Sequence, residues 1–277
     1  MALAYDAVIA TIVVASDATS VTKTMVKSTT WREGTSGEWK STSCTLEAGK
    51  TYQFRTPNSG SGSGTTAVLP NIKASVTVGW DTSGSTITSV GNYFLYYYAY
   101  GCNKLTSLSV PDTSGLTTVG NYFMDSYARS CSSLTSLSVP DTSGLTTVGN
   151  YFMSSYARGC SSLTSLSVPD TSGLTTVGNN FMYYYAGGCS SLTSLILKGD
   201  TGWFSSHNIS WGIPSSRLNY LYAYCESAYL TNWQGLTTSG KTLYTNYIQS
   251  PSYVKALVIP TPVIGEKYPL PPFRRSV

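Results

Sequence analysis

The sequence LTSLSVPDTSGLTTVGN occupies residues 105–121, and it recurs without a change at residues 134–150 and 163–179. The period is 29 residues. A looser copy precedes these units at 75–102, and a decayed copy follows between residues 221 and 260. Atypical ends are expected in a repeat array, because the terminal units must cover an otherwise open core. A fixed period of this length predicts a solenoid.

Within one unit, LTSLSV alternates apolar and hydroxyl residues, which predicts a strand with one buried face. The following Pro-Asp-Thr-Ser-Gly predicts a turn. In the segment 150–160 we expect a short helix, with Asn150 as its N-cap and Gly159 at its end. Its apolar residues recur at spacings of three and four: Phe152, Met153, Tyr156, Ala157 and Cys160. One strand plus one short helix per unit predicts a mainly β fold with short helices (α/β), a leucine-rich-repeat solenoid.

The pattern V-G-N-x-F-x-x-x-Y-A-x-x-C-x-x-L-T-S-L-x-V-P resembles the BspA-like leucine-rich repeats over residues 72–260. That family is found in bacterial surface proteins and in related microbial and phage products. The units of this chain depart from the family by being longer in the DTSGLTT segment and in the Tyr-rich segment. The resemblance implies a binding or scaffolding role on an exterior surface, and it implies no catalytic residues.

The composition points in the same direction. Only 11% of the residues are charged, less than half the usual fraction of about 25%, whereas Ser and Thr supply 80 of the 277 residues. Such a surface is typical of exterior proteins rather than of cytosolic enzymes. The net charge of +4 is too small and too scattered for a nucleic-acid partner. No apolar run reaches the length of a membrane span.

Four regions are predicted along the chain: a small β domain at 1–57, a Ser/Gly-rich linker or loop at 58–70, the solenoid at 71–260 and a Pro-rich arm at 261–277. In the first region VIATIVVA, VTKTMVKSTTW and TYQFRT predict strands, and residues 47–49 predict a hairpin turn. No basic residue precedes the apolar run 7–15, so we expect no secretory signal peptide. With Met1 retained, this start favours assembly inside a cell before release, as for virion proteins.

The repeat predicts a structural column of four cysteines: Cys102, Cys131, Cys160 and Cys189. The first interpretation is a small buried residue in a tight inner turn. Disulfides between rungs about 4.8 Å apart are an alternative, and so is a metal site, although the spacing lacks a zinc pattern. The pairing of Cys44 and Cys225 stays open.

A second column holds Asp112, Asp141 and Asp170. We expect each carboxylate to accept N–H groups of its own D-T-S-G turn, and a bound cation is the alternative. Identical units give identical environments, which argues against an acid pair for glycoside hydrolysis. The lone His207 has no Ser-His-Asp or Cys-His set, and no cofactor motif is present. We therefore expect a non-enzymatic protein without a cofactor.

Between the constant segments, some turn positions vary from unit to unit. Tyr, Ser and Gly make adaptable contact surfaces at low entropic cost, and aromatic faces stack on sugars. Packing against neighbouring subunits is the alternative interpretation of the same residues. The candidate binding surface consists of Tyr96, Tyr97, Tyr98, Tyr100, Asp125, Arg129, Arg158, Tyr183, Tyr184 and Tyr185.

These features predict a non-enzymatic structural or binding protein of an exterior assembly, a surface, decoration or appendage protein of a virion (phage). The solenoid would be displayed for assembly and for host or glycan contact, and the ends would join a homo-oligomer or a larger assembly. The alternative is a bacterial or archaeal cell-surface adhesin or an extracellular filament subunit.

Overall fold

A computed structural model of the chain describes residues 8–23, 30–55, 69, 71–79, 88–200, 202–205, 211–213, 222–225, 227–229, 231–232 and 257–258. The Pro-rich arm at 261–277, His207 and all of the linker 58–70 except Leu69 lie outside the described residues. The described part is mainly β, with almost no helix.

Sixteen strands are described, together with two short 3-10 helices at Gly202–Ser205 and Ser227–Tyr229. In chain order the strands are β1 Val8–Val14, β2 Val21–Lys23, β3 Thr30–Glu33, β4 Cys44–Leu46, β5 Thr51–Arg55, β6 Ala74–Thr77, β7 Ser89–Val90, β8 Ser107–Leu108, β9 Thr118–Val119, β10 Ser136–Leu137, β11 Thr147–Val148, β12 Ser165–Val168, β13 Thr176–Val177, β14 Ser194–Leu197, β15 Tyr222–Cys225 and β16 Leu257–Val258.

The repeats form a β-solenoid in which equivalent residues of successive units pair in parallel. Leu137 pairs with Leu108, and Thr147 pairs with Thr118, so the register equals the 29-residue period. The strand predicted in LTSLSV is confirmed as β8, β10 and β12. Each unit also contains a second strand, in LTTV, that we did not predict. The order of this second sheet is β13-β11-β9-β7.

The segment predicted as a short helix is instead a run of tight turns. Every second residue has a left-handed backbone, with φ of 58° at Tyr151, 47° at Met153 and 52° at Ser155, which excludes an α-helix. The five apolar residues of the predicted helix face are nevertheless buried. The left-handed positions are tolerated because their N–H groups bond to neighbouring rungs, such as Ser155 N to Tyr183 O at 2.8 Å.

The N-terminal strands extend the sheet of the solenoid. The order of the six-stranded sheet is β10-β8-β6-β1-β5-β3, and β1 pairs antiparallel with both β5 and β6. Ile12 of β1 lies opposite Val76 of β6, which is the first strand of the solenoid, and opposite Tyr52 of β5. Residues 47–49 form a turn, but β4 pairs with β2 and not with β5, so the predicted hairpin is wrong. The buried apolar residues of this region and of the solenoid belong to one core.

The first sheet is interrupted within the repeats. β10 is the edge of the six-stranded sheet, and β12 is the edge of a separate parallel sheet with the order β12-β14-β15-β16. The latter sheet carries the solenoid past the regular units, because β15 and β16 fall in the decayed copy. The second sheet, β13-β11-β9-β7, runs through the same region without a break.

Candidate binding surface

The turn segments of the four units stack as rungs, which we number 1 (92–102), 2 (121–131), 3 (150–160) and 4 (179–189). Buried aromatic rings fix their spacing: neighbouring rings in the Phe and Tyr columns have centroids 5.3 to 5.4 Å apart and lie nearly parallel. The hydroxyl of Tyr127 donates to Ser109 O at 2.6 Å, and Tyr156 and Tyr185 make the same bond one and two units on. The columns are Phe94, Phe123, Phe152 and Phe181, and Tyr98, Tyr127, Tyr156 and Tyr185.

The cysteine column is buried beside these rings as four free thiols. Cys131, Cys160 and Cys189 each donate from Sγ to the alanine carbonyl of the preceding rung at 3.1 to 3.2 Å. Burial raises the pKa of Cys189 to about 12 and that of Cys160 well above its usual range. The column therefore holds protonated thiols that tie rung to rung.

An asparagine ladder marks the start of each rung. The Oδ1 of Asn121 accepts the N–H of Asn150 at 2.8 Å, and the Oδ1 of Asn150 accepts the N–H of Asn179 at 2.7 Å. The predicted N-cap role of Asn150 is therefore wrong, since its partner lies in the next unit. The preceding glycine lies so close to the neighbouring rung that a Cβ on Gly149 would be 2.6 Å from Asn121 N.

Each aspartate of the second column accepts hydrogen bonds from its own D-T-S-G turn, as predicted. Asp141 Oδ1 accepts the N–H of Ser143 at 3.0 Å and its hydroxyl at 2.7 Å, and Asp170 makes the equivalent bonds to Ser172. Asp112 Oδ1 accepts the N–H of Ser114 at 2.9 Å. These carboxylates hold the turn after the first strand and lie outside the candidate surface.

On this constant frame, the varying positions fall into three columns. Residues 96, 125, 154 and 183 share the first column, residues 97, 126, 155 and 184 share the second, and residues 100, 129, 158 and 187 share the third. We call the accessible part of these columns the Tyr/Arg surface. Its members are Tyr96, Tyr97, Tyr100, Arg129, Arg158, Tyr183 and Tyr184, with the mostly buried Asp125 between them.

Two residues of the predicted surface do not lie on it. Tyr98 and Tyr185 are completely buried, because they belong to the inner tyrosine column that fills the core. The error arose from reading each Tyr-rich run as one exposed patch, whereas the last tyrosine of each Tyr-Tyr-Tyr run faces the core. Tyr100 and Tyr183 are 50% and 45% exposed, and they remain candidates for contact with a partner.

Rung 1 presents a cluster of mutually perpendicular tyrosines. Tyr96 meets Tyr97 edge-on at 4.2 Å between centroids, and Tyr97 meets Tyr100 in the same way at 4.9 Å. Tyr93 also contacts Tyr96 and begins a stack of parallel rings with Tyr122 and Tyr151, 4.8 to 4.9 Å apart. Sequence reasoning missed the Tyr122–Tyr151 part of this stack, although the repeated N-Y-F spacing could have indicated it.

The two arginines of the third column point in opposite directions along the solenoid. The guanidinium of Arg129 in rung 2 lies 5.6 Å from the ring centroid of Tyr100 in rung 1. The guanidinium of Arg158 in rung 3 lies 5.1 Å from the ring centroid of Tyr184 in rung 4. Gly187 takes the arginine position in rung 4, and a Cβ there would be 2.9 Å from Tyr184 Cδ1. The missing side chain therefore makes room for the Tyr184 ring.

Asp125 is the single acidic group of the Tyr/Arg surface, and it is only 8% exposed. Its Oδ1 accepts the hydroxyl of Ser126 at 2.9 Å. Burial raises the pKa of the Asp125 carboxyl to about 6, against the opposing effects of the Ser126 hydrogen bond and the positive charge of Arg129. The carboxyl is therefore mostly ionised at neutral pH and mostly protonated at pH 5.

Within the described residues, no group of three or more His, Cys, Asp or Glu side chains could hold a metal ion. Nor do the described residues include a helix long and apolar enough to cross a membrane.

Comparisons with known proteins add little to this geometry. No family model matches the chain, and no curated protein matches it. Among solved structures, the chain is similar to the T. pallidum leucine rich repeat protein TpLRR, at 16% identity and a TM-score of 0.23, over 57% of this chain and 79% of that one. A likeness this low carries no argument about function. The chain is a β-solenoid of 29-residue repeats on the strength of its own sequence period and hydrogen-bond register.

Proposed function

We propose that this chain is a non-enzymatic structural and binding protein of an exterior assembly, a virion surface or appendage protein that displays its solenoid for host or glycan contact. The finer assignment to the BspA-like repeats belongs to the same proposal. The proposal rests on the low charge, on the family resemblance and on the division of each unit into a constant frame and a varying surface.

The observation that carries the binding role is the separation of these two parts. The buried columns and the asparagine ladder keep the backbone the same in every rung: φ is 54° at Tyr97, 52° at Ser155 and 54° at Tyr184, which are equivalent positions. Only the side chains presented on this backbone change. A rigid frame that carries accessible Tyr and Arg side chains is the physical arrangement of an adaptable contact surface.

The repeat itself supplies a conservative test of this role. Rung 3 has Ser154 and Ser155 where rungs 1 and 4 have tyrosine pairs, on the same backbone. Replacing both tyrosine pairs by Ser-Ser should therefore remove the contact surface and leave the fold intact. The replaced residues are Tyr96, Tyr97, Tyr183 and Tyr184.

The purified full chain is first examined by light scattering and negative-stain imaging for polymers, rings or other regular assemblies. Binding of the full chain and of the Ser-Ser variant to a glycan array and to cell surfaces is then measured, with the exposed Thr146→Ser as the control variant. We expect regular assembly, and surface binding that the Ser-Ser variant loses by at least tenfold and that Thr146→Ser keeps. A monodisperse monomer that binds no array glycan or cell surface would contradict the proposal, and so would a reproducible enzymatic turnover.

Cell-surface anchoring in the native source would favour the alternative, an adhesin or filament subunit with the same solenoid. Electron microscopy of the source, with an antibody against the full chain, distinguishes labelled virions from labelled cell envelopes.

A further inference from the structure

We propose that Arg129 and Arg158, with the tyrosines on either side of them, form a binding site for a carboxylated glycan. The acid group of a sugar would be held between the two guanidinium groups, and pyranose rings would lie against the sides of Tyr100 and Tyr184 that the guanidinium groups do not cover. This inference rests on the binding role proposed above and names the class of ligand.

The two arginines are cationic neighbours on the outer side of the turn segments. They occupy equivalent positions in adjacent rungs, which stack about 5 Å apart. Arg129 is half-buried and Arg158 is exposed, and neither forms an ion pair within the part of the chain that the structure describes. Because each guanidinium leans away from the other onto its own ring, the space between them is flanked by positive charge on both sides.

The guanidinium group matches the chemistry of this ligand. Its planar set of N–H donors suits a carboxylate, to which it makes two parallel hydrogen bonds. Stacking on Tyr100 and Tyr184 holds each arginine in place, so less side-chain freedom is lost when a ligand binds. A site with two fixed guanidinium groups therefore favours an anionic group over a neutral one.

The tyrosine rings in rungs 1 and 4, on either side of the two arginines, favour a sugar ligand over a peptide ligand. Along the solenoid the order is tyrosine in rung 1, arginine in rungs 2 and 3, and tyrosine in rung 4, over about 15 Å. A ligand that fits this order carries an acid group in the middle and flat C–H faces on both sides. A chain of pyranose rings has that form, whereas an acidic peptide offers charge without the faces. Two arginines are too few for a nucleic acid.

The negative charge of the ionised Asp125 carboxylate repels an anionic ligand at this site. It lies in rung 2 with Arg129, it is hydrogen-bonded to Ser126, and Tyr96 and Tyr122 face it from rungs 1 and 2. Its carboxyl takes up a proton between pH 7 and pH 5. A sugar carboxylate, with a pKa of about 3.5, stays ionised over this range. Binding of a carboxylated glycan should therefore strengthen as the pH falls from about 7.5 to 5.

The experiment uses the full chain and three probes: tetragalacturonate, its fully methyl-esterified form and a tetraglutamate peptide. Calorimetric titration at low salt should give binding of the acid sugar that is at least tenfold tighter than binding of either of the other two. Arg129→Gln with Arg158→Gln should weaken binding of tetragalacturonate by at least tenfold. The matched control, Lys104→Gln with Lys198→Gln, makes the same charge change elsewhere on the solenoid and should leave the affinity unchanged.

Three outcomes would overturn the inference. These are an ester that binds as tightly as the acid, a peptide that binds as tightly as the acid sugar, and a double arginine variant that keeps the affinity of the parent chain. If neutral glycans bind and the Ser-Ser variant loses them, the proposed binding role stands while this inference fails. If no probe, array glycan or cell surface is bound and the chain does not assemble, both fail.

Discussion

At the scale of single residues, Asp125 stands where the equivalent positions of the other rungs have tyrosine or serine. Rung 3 has Ser154 at the equivalent place, and the carboxyl of Asp125 is buried with one hydrogen bond, from Ser126. A buried carboxyl whose pKa is raised favours the protonated form, so the folded state loses stability as the carboxyl ionises. This loss sets in as the pH rises from about 4 to 6 and persists above that range.

We therefore expect Asp125→Ser to stabilise the protein at pH 7.5 by about 1 kcal/mol. The gain is smaller than the pKa difference alone would give, because water reaches part of the Asp125 carboxyl. At pH 3 the carboxyl is mostly protonated in both the folded and the unfolded forms of the parent chain, and the gain should disappear. Thermal unfolding at the two pH values measures this, and a gain of equal size at both would contradict the assigned cause.

Gly149 shows how closely the rungs approach each other. A Cβ at this position would lie 2.6 Å from the backbone atoms Asn121 N and Gly120 C, which cannot move independently of the ladder. We expect Gly149→Ala to lower the free energy of unfolding by about 2 to 3 kcal/mol. Urea unfolding measures the loss, with the exposed Ser133→Ala as the control. A stability equal to that of the control would show that the rungs are further apart.

At the scale of elements, the cysteine column predicts a pattern of chemical reactivity. Burial holds the pKa values of these thiols far above neutral, so almost no thiolate is available at pH 8. Iodoacetamide should leave Cys131, Cys160 and Cys189 unmodified in the folded protein and should modify them in guanidinium chloride. Mass spectrometry of the peptides measures this.

Ser133→Cys supplies the control, because it adds an exposed thiol near the same column and should react at once. Modification of the column at a rate similar to that of the added cysteine would contradict its burial. Resistance to modification in guanidinium chloride that is lost on reduction would instead show disulfides between rungs.

The strands and turns of the unit could be predicted from the sequence, but the conformation of the rung could not. Alternation in LTSLSV and the D-T-S-G turn are local signals, and both are confirmed. The burial of Phe152, Met153 and Tyr156 fits a helix face and a run of turns equally well. Left-handed backbone at Tyr, Met and Ser has no sequence signature, because hydrogen bonds to the next rung, 29 residues away, stabilise it.

The candidate surface was predicted only in part for a related reason. Positions that vary between units could be found from the sequence, and Tyr100, Arg129, Arg158 and Tyr183 lie at the surface. Which members of a Tyr-Tyr-Tyr run face inward depends on the turn conformation, so Tyr185 was placed on the wrong side. The pairing of β1 with β6 joins residues 60 to 66 positions apart, and no local pattern indicates it.

At the scale of the whole molecule, the repeat should tolerate the loss of one unit. Deleting residues 134–162 joins Ser133 to Leu163 and recreates the Cys-Ser-Ser-Leu sequence that stands at residues 160–163 and 189–192. Because each unit contacts only its neighbours, the shortened chain should fold, with a smaller dependence of stability on urea. Circular dichroism during urea unfolding measures this, and loss of a cooperative transition would show that the register of the units is wrong.

The N-terminal strands should be far less tolerant. Ile12 is completely buried in β1, between β5 and the first strand of the solenoid. We expect Ile12→Ala to lower the free energy of unfolding by about 2 to 5 kcal/mol. The N-terminal strands β1–β5, which we call the cap, and the solenoid should then unfold together at a lower midpoint. Hydrogen exchange at increasing urea concentration follows the cap through peptides of residues 8–55 and follows the repeats through peptides of residues 105–189. Separate midpoints would show that the two regions unfold independently.

The identity of the three units has a consequence for how the chain finds its fold. A chain that stacks one unit out of step still places Phe on Phe, Tyr on Tyr and Cys beside Ala, so the repeats alone have competing minima of nearly equal energy. What separates these minima lies outside the repeated sequence: the antiparallel strand β1 and the differing side chains of the turn segments. The cap therefore determines which unit pairs with which, and one register of the nearly identical repeats becomes the native one.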